Sequence, residues 1–180
     1  IAVGHVRYHA EEDPRDIAGV QPLVMRYIKG SIALAHNGAI TNIATLRKEL
    51  EQGGAIFQSS SNAELIAYVV ASKRLQTDTI EDAVLKTMDA VEGAYSIVMS
   101  APSKLIAIRD KYGFRPLSIG KMGNSYLVSS ETCVYDSLGA EFIRDVEPGE
   151  MVVFDENGVT SYKQNNTAKS SMCMFEHIYI

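Results

Sequence analysis

The stretch IALAHNGAIT, residues 32–41, sets an Asn37-Gly38 pair behind an apolar run, and its residue types support two different chemistries. Asn tolerates positive φ and Gly favours it, so the pair can serve as an ordinary tight turn. The same two residues also carry a side-chain amide and a backbone N–H that can point at one spot, and glycine lets backbone come close to a ligand. Preset donors of this kind stabilise the charge that builds on a carbonyl oxygen during acyl transfer. The tripeptide alone leaves both readings open. Arg7, in GHVRYHA, is the second candidate: at the end of an apolar segment it is either a surface charge or a two-pronged clamp for a carboxylate. His5 and His9 read as structural or exposed. There is no HExxH and no His/Cys pairing, so no zinc site is expected, and GxGxxG, P-loop and GxSxG patterns are all missing.

The elements that must hold these residues follow from periodicity. Residues 1–8 read as a strand and 9–21, with Pro14 and several charges, as a loop. Residues 23–36 read as two strands joined at Lys29-Gly30. A helix is predicted from about 42 to 52, with Ile43, Leu46 and Leu50 on one face and Gly53-Gly54 as its stop. A second helix over 61–75 opens with Ser61 three residues before Glu64, a capping-box pattern, and carries an apolar stripe of Leu65, Ile66, Val69 and Val70. A third spans about 79–91, with Ile80, Val84, Leu85, Met88 and Val91 at helical spacing. From residue 94 the chain is strand-rich, with one short helix at about 131–138, and 163–171 is a polar segment expected to be mobile. Strands, then helices, then many antiparallel strands argue an α+β fold rather than an alternating βαβ one.

Composition narrows the function classes. The 180 residues carry a net charge of −5 with no basic run, which excludes a phosphate-backbone reader, so nucleic acid is not an expected partner. No apolar stretch approaches the roughly 20 residues that span a bilayer, and the start lacks a secretion signal. Two cysteines, Cys133 and Cys173, make no disulfide framework and fit a reducing cytoplasm. Arg109-Asp110 and Arg115 could mark a phosphate or acid–base site, but read as an exposed strand–turn–strand held by an Arg–Asp pair, as charges at turns usually are.

Taken in order, GHVRY (4–8), QP (21–22), IALAHNGAITN (32–42), FQSSSNAE (57–64), EGAYS (92–96), IRDKYGFRPLSIG (108–120), SSET (129–132), VEPGE (146–150) and FEHIY (175–179) resemble the class II glutamine amidotransferase domain of the amidophosphoribosyltransferases, an N-terminal-nucleophile (Ntn) hydrolase family. The resemblance covers nearly the whole chain. It implies a four-layer αββα sandwich of two stacked antiparallel sheets, residues 1–180 forming one glutaminase domain. It further implies that glutamine is hydrolysed here and that the ammonia goes to a phosphoribosyltransferase domain, which forms phosphoribosylamine from phosphoribosyl pyrophosphate in de novo purine synthesis.

Residue by residue, the resemblance makes Asn37 and Gly38 the oxyanion hole, Arg7 the partner of the glutamine α-carboxylate, Tyr8 a wall of the pocket and Asn62 the partner of the α-amino group. Three departures stand out. The family nucleophile is an N-terminal Cys, which this chain, starting at Ile1, does not contain, so the polypeptide as given is expected to be inactive. Asn62 stands where the family usually has Asp, which weakens a charge-assisted contact by about 1 kcal/mol. His9 and Ala10 replace the usual residues after Arg-Tyr. The expected cofactors are none for the glutaminase half and magnesium for the transferase half; Cys173 is similar in position to an iron–sulfur ligand of one branch and reads here as a free thiol. A cytoplasmic protein, homo-oligomeric at full length and with its transferase domain and N-terminal Cys segment outside these residues, is the expectation. The alternative is a non-catalytic glutamine-binding or interaction module derived from such an enzyme.

Overall fold

The computed structural model describes residues 1–6, 17–164, 168–171 and 173–174. The helices form where the apolar spacing demanded them. α1 (Ile43–Gln52) buries Leu46, packs Ile43 and Leu50 on the core, and ends as the Gly53 N–H bonds the Glu49 carbonyl. α2 (Asn62–Arg74) and α3 (Ile80–Ala90) are capped by Ser61 and Thr79, whose hydroxyls accept the N–H groups of Ala63 and Asp82. Each cap satisfies one of the donors a helix start leaves orphaned.

Two sheets carry the rest. The larger runs β1 (Leu23–Tyr27), β2 (Gly30–Ile40), β3 (Gly93–Ala101), β4 (Lys104–Arg109), β8 (Glu150–Asp155) and β9 (Gly158–Lys163) in that spatial order. The smaller sets β5 (Ser118–Met122) between β6 (Ser125–Ser129) and β7 (Glu141–Asp145). A short helix, α4 (Cys133–Leu138), joins β6 to β7, and every pairing of these strands is antiparallel.

Alternation along the strands builds the layers. On β3 and β4, Tyr95, Ile97, Met99, Ile106 and Ile108 face one way, into a core shared with Leu65, Ile66, Val70, Val84 and Met88 of the helices. Val98, Leu105 and Ala107 face the other way and meet Leu117, just ahead of β5, with Ile119 and Val128 of the small sheet. On the far side of that sheet Gly120 lies under Tyr135 of α4, so close that a Cβ there would stand 2.5 Å from the ring. The order is therefore helices, six-stranded sheet, three-stranded sheet, α4, the αββα arrangement expected. Large strands buried on both faces read as unbroken apolar runs, which is why β4 and β8 were easy to see.

Several expectations are corrected. Residues 1–6 have no regular structure; 7–16, including the rest of the expected first strand, lie outside the described residues. Residues 17–19 form a 3-10 turn inside the expected loop. The β1–β2 loop is Ile28-Lys29, closed by the Tyr27↔Gly30 pair, one residue earlier than read. β7 was missed because its residues are mostly exposed and carry no alternating pattern. Glu64 does not complete a capping box: its carboxylate accepts the Gln58 N–H (2.7 Å), the Ser59 N–H (2.7 Å) and the Ser59 hydroxyl (2.6 Å), tying down the loop ahead of α2. Arg47 holds that loop from α1, donating to the Ser59 carbonyl and stacking its guanidinium over Phe57 at 4.1 Å. The polar segment after β9 is partly anchored, since Gln164 donates to Asp89 and the Ser171 N–H to the Tyr112 carbonyl.

The VEPGE motif proves to be a structural clasp. Arg144 of β7 reaches Glu150 with two bonds of 2.8 Å, and Glu150 also accepts the Ser161 hydroxyl and the Glu147 N–H. Burial by itself would raise the Glu150 pKa; these hydrogen bonds and the Arg144 charge reverse that and hold its carboxyl below the ordinary value. The clasp joins an edge of the small sheet to the large one.

Candidate active site

Asn37 and Gly38 are not a turn. They lie inside the eleven-residue β2, paired with Ser96 and Tyr95 of β3. Two glycines make this stretch of the ladder close-packed, Gly38 opposite Tyr95 and Gly93 opposite Ile40. Gly38 has φ 138° and Gly93 has φ 141°; a Cβ on the first would stand 2.0 Å from the Ala94 carbonyl oxygen and on the second 2.2 Å from that of Ala39. The HNGAI and EGAYS motifs thus require each other through a close backbone approach.

The strand's alternation decides where the two donors point. Ile32, Leu34 and Ile40 face the helices, so Ala33, Ala35 and Asn37 face the small-sheet side, and the Asn37 side chain is exposed there. Backbone groups alternate in the plane of the sheet. Tyr95 turns its N–H to the Asp110 carboxylate (3.3 Å) and its carbonyl to the Asp110 N–H (3.0 Å), on the β4 side. Gly38, directly opposite, therefore turns its N–H and carbonyl toward the β1 side. There the β1–β2 ladder has already stopped, its last pair being Leu23↔Leu34. The Gly38 N–H is a donor left outside the ladder, beside an exposed carboxamide at Asn37.

The flank of this spot is the 110–116 loop. Ser96, the ladder partner of Asn37, places its hydroxyl 3.1 Å from the Arg115 and Pro116 carbonyls. The loop is shaped by two buried charges, not the exposed pair expected. Asp110, 0% exposed, accepts N–H groups from Tyr112, Gly113 and Phe114 as well as Tyr95. Arg109 donates to the carbonyls of Gly113, Arg115 and Val146.

His36, next to the donors, is 5% exposed and its Nε2 has no hydrogen-bond partner. Burial first, then the positive charges of His5 and Arg115, lower its pKa to about 4, so the ring is neutral at pH 7. Below about pH 6.5 the unfolded chain takes up a proton that the folded chain refuses until about pH 4. Stability contributed by His36 is thus complete above 6.5 and falls by about 3 kcal/mol as pH drops through that window. Urea titrations of the wild type and His36→Leu are expected to diverge accordingly, the variant gaining relative stability between pH 7 and 4.5. A constant difference across that range would refute the assignment.

Of the other residues singled out, Asn62 opens α2, which packs on β1 and β2, and it is half-buried. Neither it nor Asn37 makes a side-chain hydrogen bond within the described residues. Arg7, Tyr8, His9 and Ala10 lie outside those residues. Cys133 sits on α4, across the small sheet from Asn37, and Cys173 is a half-buried free thiol. Among the described residues no three His, Cys, Asp or Glu side chains stand together as a metal or cluster site would need, and no helix is long and apolar enough to cross a membrane. Sequence reasoning gave no role to Gln21, which proves to touch β2: its Oε1 accepts the His36 N–H at 2.6 Å. The signal available was the QP pair itself, because proline favours the ends and edges of strands.

Comparison with known proteins identifies the family and the fold. A glutamine amidotransferase domain model matches residues 6–135. Bacillus subtilis amidophosphoribosyltransferase is 41% identical over 179 residues, 99% of this chain and 37% of the relative. Arabidopsis thaliana chloroplastic amidophosphoribosyltransferase 1 is 40% identical, across 99% of this chain and 31% of its own length. The solved B. subtilis glutamine phosphoribosylpyrophosphate amidotransferase, complexed with ADP and GMP, superposes with a TM-score of 0.89 at 40% identity, covering 97% of this chain and 37% of that one. The chain spans 31% to 37% of the length of these relatives, and its two stacked antiparallel sheets are those of the Ntn-hydrolase amidotransferase fold. This chain belongs to the glutamine amidotransferase domain family.

Proposed function

We propose that this chain is the glutamine-hydrolysing half of an amidophosphoribosyltransferase, releasing ammonia for phosphoribosylamine formation from phosphoribosyl pyrophosphate in de novo purine synthesis. The observation that supports it best is the Gly38 N–H, turned off the sheet where β1 has ended, next to the exposed Asn37 amide. Those two donors stabilise the oxyanion formed when the side-chain amide of glutamine is attacked. Arg7 takes the substrate's α-carboxylate, Tyr8 lines the pocket and Asn62 accepts from the α-amino group, so each end of the zwitterion has a partner. In this reading the nucleophile is the N-terminal Cys of the whole protein, whose own amino group acts as base; Cys133 sits on α4 and Cys173 lies beyond β9. The hydrolysis needs no cofactor. Magnesium belongs to the transferase half, and Cys173 takes no part in the hydrolysis.

Asn37→Ala in the full-length protein is expected to lower kcat for glutamine hydrolysis by roughly a hundred- to a thousandfold. Transfer from free ammonia, which bypasses this site, should be unchanged. Equal loss of both activities, or of neither, would overturn the assignment. Asn62, in place of an acidic residue, favours a second reading, a glutamine-binding module without turnover. Glutamine that binds with no hydrolysis in a protein possessing the N-terminal Cys would select it.

A further inference from the structure

The register of the β1–β2 hairpin, extended past its last pair, sets Pro22 opposite Ala35, Gln21 opposite His36 and Gly19 opposite Gly38. A ladder continued along this edge would bond residue 21 to residue 36 and then residue 19 to residue 38, consuming the Gly38 N–H. Two features prevent that. The chain leaves the edge at Pro22, just ahead of Leu23 where β1 begins, and residues 17–19 wind into a 3-10 turn. The bond at position 36 is nevertheless made, by the Gln21 side chain, whose Oε1 accepts the His36 N–H at 2.6 Å. Without it, an amide on a residue that is 5% exposed would be unpaired. On this edge β2 is thus held two residues before Gly38, and the ladder bond that would block Gly38 is withheld.

We propose that Gln21 is a positioning residue: its side chain replaces the backbone of β1 opposite His36 and so fixes the strand that presents Asn37 and the Gly38 amide to the developing oxyanion. The inference rests on the glutaminase reading above. Because the held geometry serves the transition state rather than the bound substrate, loss of the Gln21 contact lowers kcat more than it raises KM.

The test uses the intact protein that carries this chain, in wild-type form and as Gln21→Leu and Gln21→Glu, with glutamine as substrate. Hydrogen-exchange mass spectrometry should show about one additional fast-exchanging amide in the peptide over 33–40 of Q21L, with a melting temperature within a few degrees of wild type. Its kcat for glutamine hydrolysis should fall ten- to a hundredfold at nearly constant KM. Q21E, which keeps an acceptor of the same reach, should restore both protection and rate to within about threefold. If Q21L melts far below wild type, Gln21→Asn decides in its place, since it retains the amide but is one methylene too short. A wild type that hydrolyses no glutamine removes the function reading and this proposal together. An active wild type with Q21L, or in its place Q21N, equally fast or equally protected overturns this proposal alone.

Discussion

Asp110→Ala is expected to destabilise the chain by on the order of 5 kcal/mol, enough to consume much of the stability of an ordinary domain. The carboxylate is 0% exposed and accepts four backbone N–H groups, from Tyr95 at 3.3 Å, Tyr112 at 2.9 Å, Gly113 at 3.1 Å and Phe114 at 3.1 Å. Alanine leaves the Tyr95, Tyr112 and Phe114 N–H groups without that acceptor, while the Gly113 N–H keeps the Asp110 carbonyl at 3.0 Å, and each buried orphan costs about 1–3 kcal/mol. Asp110→Asn preserves the shape but one of its two polar atoms is a donor, so it should fall between the two. The loss reaches the site as well, because the loop shaped by Asp110 is the one that Ser96 tethers beside Asn37. Urea unfolding followed by circular dichroism measures the effect. An Asp110→Ala protein within 1 kcal/mol of wild type would show that the loop is held by something else.

What could be read from the sequence was what depends on local spacing. α1, α2 and α3 were visible because an apolar residue recurs on one face of each and a Ser, Thr or Gly marks an end. β4 and β8 were visible as apolar runs. What escaped depends on partners distant in sequence. Glu64 sits three residues after Ser61, as a capping box requires, yet the loop at Gln58-Ser59 offered three donors and took the carboxylate instead. Arg109 and Asp110 looked like exposed turn charges; they are buried because the 112–116 backbone they organise folds over them. β7 has exposed residues on both faces at a sheet edge, so no period betrays it.

The candidate site divides along the same line. Local residue types allowed Asn37-Gly38 to be a turn or a pair of donors, and only the ladder chooses between them. The choice needs the orientation of Tyr95, fixed by Asp110, and the end of the β1–β2 ladder at Leu23. Neither is a neighbour of Asn37 in the chain. The role of His36 was likewise unreadable, since a histidine before Asn-Gly carries no sign that its ring is buried and kept neutral.

Gly38→Ala is the substitution expected to separate the strand reading from the turn reading. In a tight turn with positive φ, alanine costs about 1 kcal/mol of backbone strain. In β2 the added methyl would meet the Ala94 carbonyl oxygen at 2.0 Å and Tyr95 Cα at 2.8 Å, both backbone atoms of a central strand that cannot swing aside as a side chain would. Strain at φ 138° adds to the overlap, and together they should cost on the order of 4 kcal/mol, a melting temperature lower by about 10 °C or more. Gly93→Ala makes the mirror-image clash, 2.2 Å from the Ala39 carbonyl oxygen, and should cost about as much although it carries no donor of the site. The two variants together form the test. Equal and large losses place the cause in the β2–β3 approach, whereas a mild Gly38→Ala beside a severe Gly93→Ala would mean that β2 does not continue through Asn37 and that the direction assigned to the Gly38 N–H is wrong.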